Sequence, residues 1–265
     1  MSESFSAPPP WMAALEYRAL GERAAMTMSL PALRRLPKGD GHHVIVLPGF
    51  TAGDGSTLPL RRLLRDLGYQ AHGWRLGQNV GPTPKILQGL GALLDRIHQQ
   101  AGGEPVSLIG WSLGGIYARE LARMAPRQVR FVITLGSPIQ MDETDQSNAQ
   151  RMWDALRRFH DPEFKRDVRA AFRPPLEVPA TSIYSRTDGV VNWRTSLIRQ
   201  SDISENIQVY GSHCGLGFNN AASFAIADRL VQPDGEWTRF RAPLLLRGAF
   251  PRADRLDITR LPRVA

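Results

Sequence analysis

Cysteine, lysine and long apolar runs are scarce in this chain, and each scarcity removes a class of protein. A single cysteine, Cys214, excludes an intrachain disulfide framework and fits a reducing compartment. No window approaches the roughly 20 apolar residues that a membrane-crossing helix needs. Met1–Pro10 is rich in Ser and Pro, and Trp11–Leu36 is interrupted by Glu16, Arg18, Glu22, Arg23, Arg34 and Arg35, so neither stretch reads as a signal peptide. A cytoplasmic protein is the expectation. Lysine occurs only at positions 38, 85 and 165, so arginine carries nearly all of the net charge of +8. Those arginines are scattered, with none of the aromatic-interleaved basic stripe that single-strand binders use. They read as solvated surface, and no nucleic-acid partner is expected. Of the histidines, His42 and His43 precede a strand, His72 lies in one, His98 is on a solvent-facing helix and His160 ends a helix. No pair has ligand spacing with a cysteine or carboxylate. No metal or organic cofactor is implied.

At 265 residues and 42% hydrophobic content, the chain can bury one large core, and a single domain with insertions is expected. Residues 1–10 read as disordered, and Trp11–Arg23 as a short helix with Trp11, Leu15 and Leu20 inward, within an N-terminal extension over 1–40. His43–Leu47 is the first clear strand. Ser56 or Thr57 then caps a helix carrying Leu60, Leu63, Leu64 and Leu67 at helical spacing, ended by Gly68. Tyr69–Trp74 is a short strand, and Leu76–Gly81 a loop bordering the site. Thr83-Pro84 opens a helix with Leu87, Leu90, Leu94 and Ile97 on one face. Phe131–Leu135 and Ala180–Ser185 are further strands. Such alternation predicts an α/β fold with a mainly parallel, doubly wound sheet over 41–232.

The decisive motif is Gly110-Trp111-Ser112-Leu113-Gly114. A β-branched apolar run (Val106, Leu108, Ile109) enters it and a helical stretch, Gly115–Met124, leaves it. Strand, tight turn and helix in that order form a nucleophile elbow, which holds a serine Oγ out at the carboxyl end of a sheet. Such a serine needs a base, an orienting acid and an oxyanion hole. Ala180–Ser185 runs into Arg186-Thr187-Asp188-Gly189, a carboxylate on a strand-end turn. Ile207–Tyr210 ends in Gly211-Ser212-His213-Cys214-Gly215. The order Ser112, Asp188, His213 makes His213 the base and Asp188 its orienter. Asp142, Asp145 and Asp202 compete for the acid role, but none sits directly on a strand-end turn. Cys214 is a poor rival nucleophile, since adjacent residues rarely point at each other. After the first strand comes Pro48-Gly49-Phe50, whose Phe50 N–H, with that of Leu113, would form the oxyanion hole.

From about His43 to Leu230 the sequence resembles the α/β-hydrolase superfamily, and its small lipase and esterase members in particular. Those begin at the oxyanion strand, without two leading antiparallel strands. The motifs are Val46-Leu47-Pro48-Gly49-Phe50, Gly110-Trp111-Ser112-Leu113-Gly114, Thr187-Asp188-Gly189 and Gly211-Ser212-His213. Pro48 departs from the histidine that many lipases carry there. The resemblance implies a serine carboxylic-ester hydrolase acting through an acyl-enzyme on a small-molecule or lipid ester. Acyl transfer or thioester hydrolysis by the same triad is the alternative, and a non-catalytic binding protein on the same fold is the remaining one.

Between Pro138 and Pro179 the alternation stops. Asn148–His160 places Met152, Leu156 and Phe159 on one helical face, and a helix from Asp161-Pro162 does the same with Phe164, Val168, Ala171 and Phe172. This insertion, over 140–178, reads as a lid whose apolar residues line an acyl pocket together with Trp111. Packing on the core edge is the blander reading. The extension over 233–265 mixes aromatic, leucine and arginine residues in Trp237–Arg241 and Pro243–Phe250. It is expected to strap the sheet edge or the lid. Its snorkelling arginines make peripheral contact with a membrane or lipid surface the alternative.

Overall fold

A computed structural model describes residues 4–142, 144–167 and 175–255. Six parallel strands form one sheet: β1 (His43–Leu47), β2 (Gln70–Gly73), β3 (Val106–Trp111), β4 (Val129–Leu135), β5 (Ala180–Tyr184) and β6 (Ser204–Gln208), in spatial order β2-β1-β3-β4-β5-β6. The order reverses at β1, where the chain crosses to β2 and then returns past β1 to β3. Ligand crevices of open parallel sheets lie at such a reversal, beyond the carboxyl ends of the strands.

The sheet is covered on both faces because its strands are apolar on both. Val44 and Val46 point to one side, among α2 (Arg18–Leu33), α3 (Asp54–Asp66) and α8 (Asn220–Leu230). Ile45 and Leu47 point to the other, among α4 (Pro84–Gln100) and α5 (Leu113–Met124). This period of two sorts the core into two clusters. Thr83 caps α4 as expected, its hydroxyl accepting from Ile86 N at 3.2 Å. Helix α3 starts earlier than expected, at Asp54. The hydroxyls of Ser56 and Thr57 donate back to the carbonyls of Gly53 and Asp54 instead of capping.

The N-terminal region departs most from expectation. Residues 4–9 are tied down: Phe5 N donates to Asp145 at 2.6 Å, and Asn192 and Asn148 donate to the carbonyls of Ser6 and Pro8. A short helix, α1 (Pro10–Ala14), leads through a 3-10 turn into α2, so helical structure runs on well beyond Arg23. Trp11, Leu15 and Leu20 face solvent, and Met26 and Leu33 are the residues of α2 that reach the core. Glu16 and Glu22 point inward instead, for reasons that the loops beneath them supply.

The described residues after α8, up to 255, reach β6 and the end of β5. Phe240 and Phe250 pack on Phe224 of α8, and the Tyr184 hydroxyl donates to Asp254 at 2.7 Å. Beneath them sits a buried ion pair, with Arg229 Nη1 2.9 Å from Glu205 Oε1 and Phe240 N donating to the other oxygen at 2.9 Å. Burial raises Glu205 above the usual carboxylate range, against the pull of Arg229 and the Phe240 amide. Replacing Arg229 by Met should therefore cost about 3–5 kcal/mol, because it strands a buried carboxylate. Equilibrium urea unfolding checks this. The loss should shrink as pH falls through the raised pKa of Glu205 toward the ordinary carboxylate value, because Glu205 then folds neutral, and the Arg229→Met, Glu205→Leu pair should recover most of it.

Candidate active site

Four strand ends converge at the carboxyl edge of the sheet. Strand β3 is buried throughout and leads directly into Ser112, whose backbone sits at φ 52°, ψ −121°. A non-glycine residue there costs roughly 1–3 kcal/mol unless its surroundings impose it. They do: Ser112 N donates to Leu135 O at 2.8 Å, and Gly115 N to Ser112 O at 2.9 Å. The glycines permit the closeness, since a Cβ on Gly110 would lie 2.3 Å from Gly114 O, and one on Gly114 2.4 Å from Leu47 O. The Pro48-Gly49-Phe50 turn lies against the serine, with the Cβ direction of Gly49 ending 3.2 Å from Ser112 Cβ. Leu113 opens α5, so its N–H is one of the helix-start donors that lack an intrahelical partner.

Asp188 follows β5 and His213 follows β6. Asp188 Oδ2 lies 2.6 Å from His213 Nδ1, and both residues are buried. The other carboxylate oxygen accepts from Val190 N and Val191 N, each at 2.9 Å. Burial alone would depress the imidazole, but the charge and hydrogen bond of Asp188, with Glu16 behind it, raise it above the ordinary histidine value. Trp111, one residue before the serine, donates its indole N–H to His213 O at 2.9 Å, joining the elbow to the histidine loop. Gly136 closes the space between: a Cβ there would lie 3.2 Å from both Asp188 Oδ2 and His213 Nδ1. Asp145, a rival acid, is spent on the amides of Phe5 and Asp142. The Cys214 thiol is pushed up to about 12 by the packing around it and then by Glu16, Asp188 and Glu22, which argues against a thiolate nucleophile.

The sequence profile of the alpha/beta hydrolase family matches residues 7–264. The chain belongs to that family. Solved structures with the same fold include lipase B of Aspergillus fumigatus, at 16% identity and TM-score 0.56 over 73% of this chain and 53% of the lipase. The chain thus spans about half the length of that lipase. Another is from work on LipS and LipT, metagenome-derived lipolytic enzymes, at 16% identity and TM-score 0.54 over 73% of this chain and 93% of that one. No curated protein matches the sequence.

In this α/β-hydrolase the turn after β1 is held by a residue that sequence reasoning missed. Asn79 is fully buried, and its side-chain amide donates to Pro48 O at 3.0 Å. Its backbone accepts from Thr51 N at 2.8 Å and donates to Ala52 O at 2.7 Å. Its side-chain oxygen accepts from Gly81 N and the Tyr117 hydroxyl, each at 3.2 Å. The loop was expected to border the site, but nothing in a lone asparagine between Gln78 and Val80 distinguishes a five-bond hub from a turn residue.

The inserted helices α6 (Gln150–Leu156) and α7 (Pro162–Asp167) pack over the same end of the sheet, with α6 rotated by one position from expectation and Phe164 of α7 inward as expected. Met152 and Phe159 are exposed, and Leu156 is half-buried. Trp153 faces inward, with its ring 5.4 Å from Phe50, and Phe164 meets Tyr117 at 5.7 Å. The anchor is polar: His160 hydrogen-bonds Val80 O and Asp161 N donates to Pro82 O. Those two contacts fix the helix rotation, so Trp153 and not Met152 meets the core. Val168 and Phe172 lie outside the described residues.

Two acidic residues of the N-terminal helices also reach the site, and sequence reasoning gave them no role. Glu16 accepts from the amides of Gly189, His213 and Cys214, and Glu22 accepts from Ser212 N. The signal was present in reverse, as acidic residues interrupting an apolar helix pattern.

Asn79→Ala should strip Pro48 O, Gly81 N and the Tyr117 hydroxyl of a buried partner at once. Stability should fall by about 2–3 kcal/mol, the cost of stranding buried polar groups. Ester turnover, if the turn donates to the oxyanion, should drop about 10-fold or more with KM little changed. Urea unfolding and steady-state kinetics on one preparation check both.

Proposed function

We propose that the chain is a serine carboxylic-ester hydrolase working through an acyl-enzyme. The observation carrying the reading is the buried 2.6 Å contact between Asp188 and His213 on neighbouring strand ends, tied through Trp111 to a serine at φ 52°. Ser112 Oγ attacks the ester carbonyl while His213 Nε2 takes its proton, and the carbonyl electrons move onto oxygen. Phe50 N–H and Leu113 N–H stabilise that oxyanion. As the C–O bond breaks, His213 returns the proton to the leaving alcohol. Water then enters, gives its proton to His213 and attacks the acyl-enzyme, and Ser112 recovers the proton. Asp188, bonded to the imidazole and to the Val190 and Val191 amides, holds the Nδ1–H tautomer and stabilises the imidazolium.

The inserted helices are read as a lid in which Phe164 is kept, and Trp153 takes the place of the outward Met152 and Phe159, as candidate contacts to the acyl chain. Trp153 beside Phe50 is the better placed, next to the proposed oxyanion donor.

Ser112→Ala should lower kcat/KM by at least ~10⁴-fold, and Asp188→Asn by about 10⁴-fold, with the fold retained. A fluorophosphonate should label Ser112, and Asp202→Asn should stay near wild type. Labelling elsewhere, or a folded Ser112→Ala enzyme keeping more than about a hundredth of the rate, refutes the nucleophile. Since His213 must be neutral to accept the proton and its pKa is raised, kcat/KM should fall with decreasing pH from a point above the ordinary histidine value.

Trp153→Ala should reduce the butyrate-to-acetate ratio for p-nitrophenyl esters. Each methylene that loses burial is worth about 0.8 kcal/mol. An unmoved ratio with a lowered melting temperature would place Trp153 in the scaffold alone. Including acyl-CoA thioesters in the series separates ester from thioester preference.

A further inference from the structure

The structure assigns a positioning role to Glu16: its carboxylate clamps the acid loop and the histidine loop into one unit and sets the field at the base. This rests on the reading of Ser112, Asp188 and His213 as a hydrolytic triad. Glu16 lies in the 3-10 turn Leu15–Tyr17 between α1 and α2. One oxygen accepts from Gly189 N at 2.7 Å and from His213 N at 2.9 Å, and the other accepts from Cys214 N at 2.7 Å. Gly189 directly follows Asp188. A single carboxylate therefore holds the backbone of the base and of the residue after its orienting acid, across 173 and 197 positions of sequence.

The surroundings reinforce the clamp. Glu22, further along the same helical run, accepts from Ser212 N at 2.8 Å. Arg18 donates to Thr187 O at 2.9 Å, just before Asp188. Acceptors for the loops' amides and a donor for their carbonyls thus arrive from one helical segment. The fit is tight, since a Cβ on Gly189 would lie 2.3 Å from Met12 O and 2.9 Å from Glu16 Oε1. No apolar anchor replaces these bonds at Trp11, Leu15 or Leu20, which face solvent.

Hydrogen bonds to charged groups are short and directional, and three on one carboxylate define an orientation. The negative charge also favours the imidazolium that forms when Ser112 gives up its proton. Among the described residues, the charged or titratable groups facing the histidine loop are Asp188 from the β5 end, Glu16 and Glu22 from the N-terminal helices, Arg18 on the Thr187 and Gly211 carbonyls, Arg23 over the Phe218 ring, and the adjacent Cys214. Glu16 adds to Asp188 in raising His213, against the burial that lowers it.

The test uses the full chain and two variants that separate charge from reach. Glu16→Gln removes the charge and turns an amide NH2 toward one backbone donor. Glu16→Asp keeps the charge but is one methylene short. Measured for each are the melting temperature, the rate of Ser112 labelling by a fluorophosphonate, the pH profile of kcat/KM on a p-nitrophenyl ester, and the His213 imidazole titration by NMR. In Glu16→Gln the imidazole should titrate lower and the acid limb should follow it by at least about 0.3 pH unit. Both variants should label and turn over about 10- to 100-fold more slowly, with KM within about twofold, as misplaced catalytic groups do. Glu16→Asp should keep the acid limb nearer that of wild type.

Wild-type rates and an unmoved titration in Glu16→Gln overturn the proposal. If Glu16→Gln fails to fold, Glu16→Asp decides: a slowed rate with the limb retained supports the role, and a wild-type rate overturns it. If wild-type Ser112 neither labels nor turns over esters, the hydrolase reading has failed instead. The His213 titration still judges whether Glu16 acts on the imidazole, because it needs no turnover.

Discussion

A sheet whose strands are apolar on both faces must be covered on both, and in a parallel sheet every strand then has to return through a crossover. All the carboxyl ends consequently emerge along one edge. Strands β3 and β5 are buried throughout, so side-chain chemistry has room mainly where those strands stop. Gly49, Ser112, Asp188 and His213 each lie one to five residues past a strand end. The site is thus assembled from loops, while the geometry of those loops is dictated by the sheet.

Two buried carboxylates among the described residues, Glu205 and Asp188, make an instructive contrast. Glu205 meets Arg229, accepts from Phe240 N and lies under the C-terminal tail, so its charge is neutralised in place. Asp188 meets an imidazole and two backbone amides, with no guanidinium among those partners. A carboxylate held by dipoles keeps its field available to a neighbour that changes charge, whereas one neutralised by arginine does not. The arginines that dominate the net charge of +8 can therefore be abundant without silencing the histidine. Arg18, which does approach these loops, donates to the Thr187 carbonyl and not to the Asp188 carboxylate.

What was legible in the sequence follows from which interactions leave a periodic or motif-like trace. The sheet order could not be read, but the strands could, because two-sided burial writes apolar runs bounded by Gly and Pro. Ser112, Asp188 and His213 stood out because tight turns after strands demand particular residues. The insertion was visible as a break in alternation, and Phe164 of its second helix does face inward, yet the inward face of its first helix was misjudged by one position. Helical periodicity counted Met152, Leu156 and Phe159 without knowing that His160 and Asp161 would be pinned to the Val80 and Pro82 carbonyls. Asn79 left no trace, since a buried amide bonded to loop backbone looks like any loop asparagine in one dimension.

The N-terminal helices show the same limit from the opposite side. Hydrophobic patterning placed Trp11, Leu15 and Leu20 inward, and the structure puts Glu16 and Glu22 there instead. That inversion is physically consistent. The histidine loop and the acid loop are irregular backbone, and their amides at 189, 212, 213 and 214 have no ladder partner within the sheet. Burying such donors unpaired would cost about 1–3 kcal/mol each. A docking helix can satisfy them only with acceptors, and its own carbonyls are already committed along the helix axis. Carboxylate side chains are then the available means, so the docked face has to be polar and the apolar residues are left outside. The requirement is set by the loops and not by the helix, and the helix sequence alone could not disclose it.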